Sequence, residues 1–158
     1  MTTQQLNTQA LPSTDAFGNL INAHAALVRE LSAALVARHG LTVNDYGTLL
    51  LLYRAGEEGM RRIDLANELN LSPSGITRLL DRLEAQGLVG KGECKSDARV
   101  SYAILTDAGL EKLREASPGH IEDIERRLSA VLSEDEMKTL AELLGRFGDA
   151  GGSDCTPD

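Results

Sequence analysis

Apolar residues in the first third of the chain recur at alternating intervals of four and three. Phe17, Ile21, Val28, Leu31 and Leu35, with His24 set among them, mark one stripe of a helix over residues 15–38, because that alternation keeps side chains on one face of a 3.6-residue turn. A seam of this heptad-like kind on a terminal helix needs a cover, from the rest of the domain or from a second copy of the chain. Gly40 stops the helix. Thr42 followed by Asp45 has the form of a capping box, and the mostly apolar run from Tyr46 to Tyr53 then predicts a short, largely buried helix.

After the loop signalled by Gly56 and Gly59, residues 62–69 place Ile63, Ala66 and Leu69 at helical spacing. Asn70 and Leu71 form a tight turn into Ser72-Pro73, a strong helix start because Ser caps and Pro suits the first helical position. From Pro73 to Gln86, Ile76, Leu79, Leu80 and Leu83 share one face, while Ser74, Thr77, Arg78 and Asp81 occupy the other. Two short helices joined by a brief turn, the second with small polar residues and an arginine on its outer first turns, have the layout of a helix-turn-helix.

Residues 89–95 and 99–105 read as two strands around a polar tip at 96–98, the second showing Val100, Tyr102 and Ile104 in period-two alternation. This hairpin is the expected wing. Thr106 caps a further helix expected to end before Pro118, and Ser133 with Glu136 opens a last amphipathic helix carrying Met137, Leu140, Ala141, Leu144 and Phe147. Residues 1–14 are expected to be a flexible N-terminus and residues 148–158 a disordered tail with almost nothing to bury. The fold class that follows is mainly α with a small two-stranded β wing, a winged helix-turn-helix over residues 42–106 flanked by terminal helices over residues 15–38 and 107–147, whose apolar stripes would suit a dimerisation lobe.

Composition narrows the function. With 158 residues and 42% hydrophobic content, the chain can bury a core without disulfides, and 3% aromatic residues leave that core to Leu, Ala, Val and Ile. No apolar run approaches the roughly 18 residues of a membrane span, and the first ten residues lack a signal peptide's basic start and apolar stretch, so a soluble, cytoplasmic protein without membrane contact is expected. Cys94 and Cys155 have no CxxC spacing or neighbouring His, and His24, His39 and His120 are scattered, which indicates neither a disulfide framework nor a metal site. The absence of a nucleophile elbow, phosphate loop or GxGxxG argues against an enzyme and predicts no cofactor.

The net charge of −8 appears at odds with a polyanionic partner until its distribution is considered. Residues 61–99 hold seven basic against six acidic residues and stand at +1, leaving −9 for the remainder. A relatively basic middle between acidic ends suits a chain whose middle meets nucleic acid.

At this point the order of elements and two sequence motifs converge. The run from Leu65 to Val89, with Leu71-Ser72-Pro73-Ser74-Gly75-Ile76-Thr77-Arg78 at its centre, resembles the recognition motif of the MarR family. Ser96-Asp97-Ala98-Arg99 followed by Leu105-Thr106-Asp107-Ala108-Gly109 resembles that family's wing signature, with Ala98 standing where an arginine is usual. Short polar side chains at the start of a helix allow its backbone to approach a major groove, and a longer donor behind them reaches base edges. Ser72, Ser74 and Thr77 suit the first role and Arg78 the second. Ser72 and Ser74 at the helix N-terminus also suit phosphate positioning. Lys91 and Lys95 are candidate phosphate contacts, Arg82 is a further candidate DNA-binding residue of no assigned role, and the resemblance implies that Arg99 enters a minor groove with Asp97 orienting its guanidinium.

One recognition helix reads only a few base pairs, so a homodimer on double-stranded DNA with an inverted-repeat operator is expected. The resemblance places the dimer interface in the first and last helices. It also implies a small-molecule effector, such as a phenolic or aromatic acid, between the dimer helices and the DNA-binding lobe near His24, Arg29 and Tyr46, and repression as the default action. His24 in the apolar seam of the first helix fits an interface or core histidine better than a ligand contact. The family's redox branch uses a cysteine near the first helix, and this chain has none there; Cys94 fits a buried structural thiol. The alternative reading is a winged helix used for protein contacts without sequence-specific DNA binding.

Overall fold

The computed structural model describes residues 11–93 and 101–150. In chain order the elements are α1 (Pro12–His39), α2 (Val43–Ala55), a single 3-10 turn (Gly56–Glu58), β1 (Met60–Arg61), α3 (Arg62–Glu68), α4 (Pro73–Ala85), β2 (Val89–Glu93), β3 (Ser101–Leu105), α5 (Asp107–Ser129) and α6 (Glu134–Ala150). This is the mainly helical winged helix-turn-helix expected, with a third strand added to the wing. The sheet order is β1-β3-β2, antiparallel throughout, with Lys91 opposite Ala103 on one side of β3 and Met60 opposite Ala103 on the other. β1 escapes a pattern search because two residues cannot display a period of two.

The chain divides into two compact units, one ending at Ser117 and the other beginning at Pro118. The core of the first unit is built from Leu35 and Leu41, Leu49 and Leu52 of α2, Leu65 of α3, the Ile76, Leu79, Leu80 and Leu83 face of α4, Ala103 of β3, and Leu113 and Ala116 of α5. All four α4 positions predicted as core are buried, and Ser74, Thr77, Arg78 and Asp81 are exposed. In α3 the buried pair is Leu65 and Ala66, whereas Ile63 is exposed. Seven residues make barely two turns, so periodicity alone cannot choose the face and packing decides it.

Helix ends follow local chemistry. α1 starts at Pro12, three residues before the predicted boundary, where a fixed φ and a missing N–H fit the first helical position. Thr42 and Asp45 form the predicted capping box on α2. α3 and α4 both close with a Schellman arrangement. Asn70 in the left-handed region places Leu71 N on Ala66 O at 2.8 Å, and Gly87 does the same for Leu88 N on Leu83 O at 3.0 Å.

α5 runs through Pro118 to Ser129, past its predicted end. Proline removes the backbone donor that Arg114 O would otherwise receive, a local cost of about 3 kcal/mol that tertiary packing can outweigh. Leu113 and Ala116 before the proline and His120 and Asp123 after it are all buried. In the second unit, α6 opens with the predicted box: Glu136 Oε2 accepts from the Ser133 N–H and hydroxyl, each at 2.8 Å. These two donors hold the Glu136 carboxyl below its ordinary pKa. α6 extends to Ala150, three residues beyond Phe147, and the rest of the predicted tail lies outside the described residues.

By length and composition α1 is apolar enough to cross a membrane, contrary to the expectation from apolar runs. Its apolar residues form a seam with two fates. Leu31 and Leu35 are buried within the first unit, whereas Leu20, Ile21 and Phe17 are exposed, Phe17 to 67%.

Candidate nucleic-acid interface

Ser72 sits at the N-cap of α4, where its Oγ accepts from Gly75 N at 3.1 Å and lies 3.2 Å from Ser74 Oγ. The Thr77 hydroxyl donates to Pro73 O at 2.9 Å, so its remaining lone pairs and its methyl are left for an incoming group. Arg78 folds one turn back, donating from Nε to Ser74 O at 3.3 Å, which leaves its terminal nitrogens for other acceptors. All four side chains are exposed on one end of α4, with no bulky apolar neighbour among the α4 positions on that face. Lys95, Asp97 and Arg99, predicted at the wing tip, and Cys94 lie outside the described residues.

The structure separates the cations that the sequence grouped together. Arg61 makes a bidentate pair with Asp64, at 2.6 and 2.9 Å, which raises the guanidinium pKa further. Arg62 Nη2 lies 3.4 Å from Glu84 Oε1, and Lys91 Nζ lies 3.5 Å from Glu84 Oε2. Arg82 donates to Asp45 Oδ1. Among the described residues, Arg78 is the cation of this segment for which the structure shows no acidic partner. Among the described residues, the cations of this segment are therefore mostly paired inside the protein, with Arg62 and Lys91 sharing one carboxylate and Arg78 left on the outer face of α4.

Asp45 explains why Arg82 is held. Its Oδ2 accepts from the Thr42 N–H and hydroxyl, each at 2.8 Å, and its Oδ1 receives Arg82. The Asp45 side chain is 3% exposed and that of Arg82 is 49% exposed. A carboxylate buried to that degree requires a full set of donors. The pair ties the last turn of α4 to the first turn of α2. Val43 N, donating to Ser32 Oγ at 3.2 Å, ties the same corner to α1. The sequence reveals Asp45 as a cap, but a partner 37 residues away carries no local signal.

The far end of α4 is docked on α5. Thr106 Oγ1 donates to Gly87 O at 2.7 Å and accepts from Gly109 N at 3.0 Å, so one hydroxyl joins the end of α4 to the start of α5. A Cβ at Gly109 would stand 2.0 Å from Leu88 O, which accounts for glycine at that position. The Thr106 to Gly109 motif thus sets the seat of α4 relative to the wing.

Of the predicted effector residues, His24 and Arg29 are exposed on α1, five positions and about 140° apart around an ideal helix. Tyr46 is buried. Its hydroxyl lies 3.1 Å from Ser117 Oγ, and because Ser117 donates to Leu113 O at 2.6 Å, Tyr46 is the donor. The described chain therefore does not bring the three together as one site.

The MarR family model matches residues 39–100. The HTH-type transcriptional regulator MhqR of Bacillus subtilis is 32% identical over 113 residues, covering 72% of this chain and 76% of that protein. This chain belongs to the MarR family. Two solved members of the family from Streptomyces coelicolor share its fold. AbsC is 30% identical with a TM-score of 0.73, covering 87% of this chain and 92% of its own. Sco3205, solved in complex with DNA, is 28% identical with a TM-score of 0.78 and covers 89% and 92%. This MarR-family chain is accordingly a DNA-binding transcription regulator and not an enzyme, and its α3-α4 pair is the helix-turn-helix.

Proposed function

We propose that this regulator is a homodimeric cytoplasmic repressor that places α4 in the major groove of an inverted-repeat operator and releases it when a small molecule binds. The observation that carries the reading is the outer face of α4. Exposed Ser72, Ser74 and Thr77 let the backbone approach, and Arg78 offers unpaired donors to a guanine edge. Lys95 contacts phosphate from the wing, and Arg99, oriented by Asp97, enters the flanking minor groove.

Dimerisation is supported by apolar surface that the single chain leaves open. Phe17, Leu20 and Ile21 on α1, and Leu140, Leu143, Leu144 and Phe147 on α6, are exposed, with Phe147 at 74%. Large exposed apolar patches mark interaction surfaces, and a two-fold pair of α4 helices reads half-sites about one helical turn apart. A phenolic or aromatic acid effector bound beside the dimer helices favours a dimer whose α4 spacing does not match the operator. A coupling of about 1–3 kcal/mol weakens operator binding roughly 5- to 150-fold.

Selection of bound sequences from a random duplex pool by the purified protein tests this reading. The expected result is an enriched inverted repeat with half-sites about one turn apart. Titration of that operator with aromatic acids is expected to lower affinity. A dimer that enriches no sequence would replace the reading with that of a protein-contact module.

A further inference from the structure

Glu84 occupies the last turns of the recognition helix, yet it faces two cations that belong to neither that helix nor its turn. Its two carboxylate oxygens are divided between them. Oε1 lies 3.4 Å from Arg62 Nη2 at the start of α3, and Oε2 lies 3.5 Å from Lys91 Nζ on β2. The Glu84 side chain is 20% exposed, that of Arg62 30% and that of Lys91 66%, so the carboxylate is the most enclosed member of the trio and its partners face solvent more. At these distances both contacts are at the loose end of ion pairing, whereas charge-assisted bonds of full strength lie near 2.7–2.9 Å.

Resting on the DNA-binding reading above, we infer that Glu84 is an intramolecular stand-in for a DNA phosphate, holding Arg62 and Lys91 as a partly neutralised reserve and thereby setting how strongly the protein binds DNA of any sequence. A carboxylate and a phosphate compete for the same donors by the same charge. Non-specific affinity comes almost entirely from cations that neutralise phosphates and release counterions. A cation already paired inside the protein contributes less to that release until the pairing acid is displaced. Among the described residues this leaves Arg78, which suits base readout, as the cation of the segment without an acidic partner. The arrangement fits a chain with a net charge of −8, in which general attraction to DNA is weak.

The test uses the full-length protein and a fluorescently labelled duplex of random sequence, titrated between about 50 and 200 mM salt. Glu84→Gln keeps the shape and removes the charge. Its random-duplex affinity is expected to rise at least about 5-fold at the low-salt end, and the slope of log affinity against log salt to steepen by about 1 to 2, close to the 0.9 expected for each newly engaged phosphate. Lys91→Gln supplies the second arm. In the natural background it should change random-duplex affinity less than about 2-fold, because Glu84 Oε2 competes with phosphate for its Nζ, whereas in the Glu84→Gln background it should remove about half of the gain in slope. Equal losses from Lys91→Gln in both backgrounds would show Lys91 to be an ordinary solvated cation and overturn the inference. Unchanged affinity and slope for a Glu84→Gln protein with native melting behaviour would also overturn it. If the natural protein binds no duplex at all, the DNA-binding reading itself fails, a result distinct from either of these.

Discussion

Replacing Arg82 by methionine separates two roles for a residue that the sequence places among the DNA contacts. The side chain of Arg82 is half exposed, but its guanidinium donates to Asp45, which is 3% exposed and otherwise held by two donors from Thr42. Breaking a fully buried pair costs about 3–5 kcal/mol, and breaking an exposed one about 0–1 kcal/mol. With one partner buried and the other half in water, about 2 kcal/mol is expected. For a chain of this size that lowers Tm by about 4–8 °C. Asp45→Asn removes the same pair and weakens the α2 cap, so it should cost somewhat more.

Because both changes break one interaction, the double variant should be less destabilised than the sum by about 1–2 kcal/mol. Urea unfolding of all four proteins at one protomer concentration measures this, since dimer stability depends on concentration. The DNA readout is independent. A residue that positions α4 lowers stability without changing the salt slope, whereas a phosphate contact flattens the slope by about 0.9. Additivity within about 0.5 kcal/mol, together with a flattened slope, would refute the positioning role and return Arg82 to the DNA surface.

Three further outcomes are expected. Arg78→Ala should cost about 1–3 kcal/mol on the operator selected above and much less on random duplex, and competition titration giving equal losses on both would remove it from base readout. Gly109→Ala drives a methyl group against Leu88 O, so a loss of roughly 3 kcal/mol or more is expected in thermal melts, and a change below about 1 kcal/mol would mean that the start of α5 shifts freely. His120 is buried, and burial lowers its imidazole pKa while Asp123 pulls in the opposite sense. Below about pH 6.5 the unfolded chain takes up a proton that the native state resists. Stability should therefore fall on acidification from about pH 6.5 down through the lowered native pKa, and then level off. His120→Gln should flatten that part of the melting profile, and an unchanged profile would assign the acid sensitivity elsewhere.

The elements that were legible in the sequence are those specified by neighbours within about four residues. The capping boxes of Thr42 with Asp45 and Ser133 with Glu136, the Ser72-Pro73 start of α4, and the buried and exposed faces of α4 all appear as predicted. Local hydrogen bonds and a 3.6-residue period are written into the chain itself. The exposed residues proposed for DNA were found the same way, since Ser72, Ser74, Thr77 and Arg78 share a face by spacing alone.

What the sequence could not supply was pairing across distance. That α5 continues through Pro118, that Ile63 turns outward while Leu65 turns in, and that a two-residue strand joins the wing depend on packing energies that outweigh local preference. The charges show the same division most sharply. By itself the sequence determined how many cations lie between residues 61 and 99. Only the tertiary structure decided that Asp45 holds Arg82 and that Glu84 holds Arg62 and Lys91, because an ion pair is fixed by a few ångströms in space and not by position along the chain.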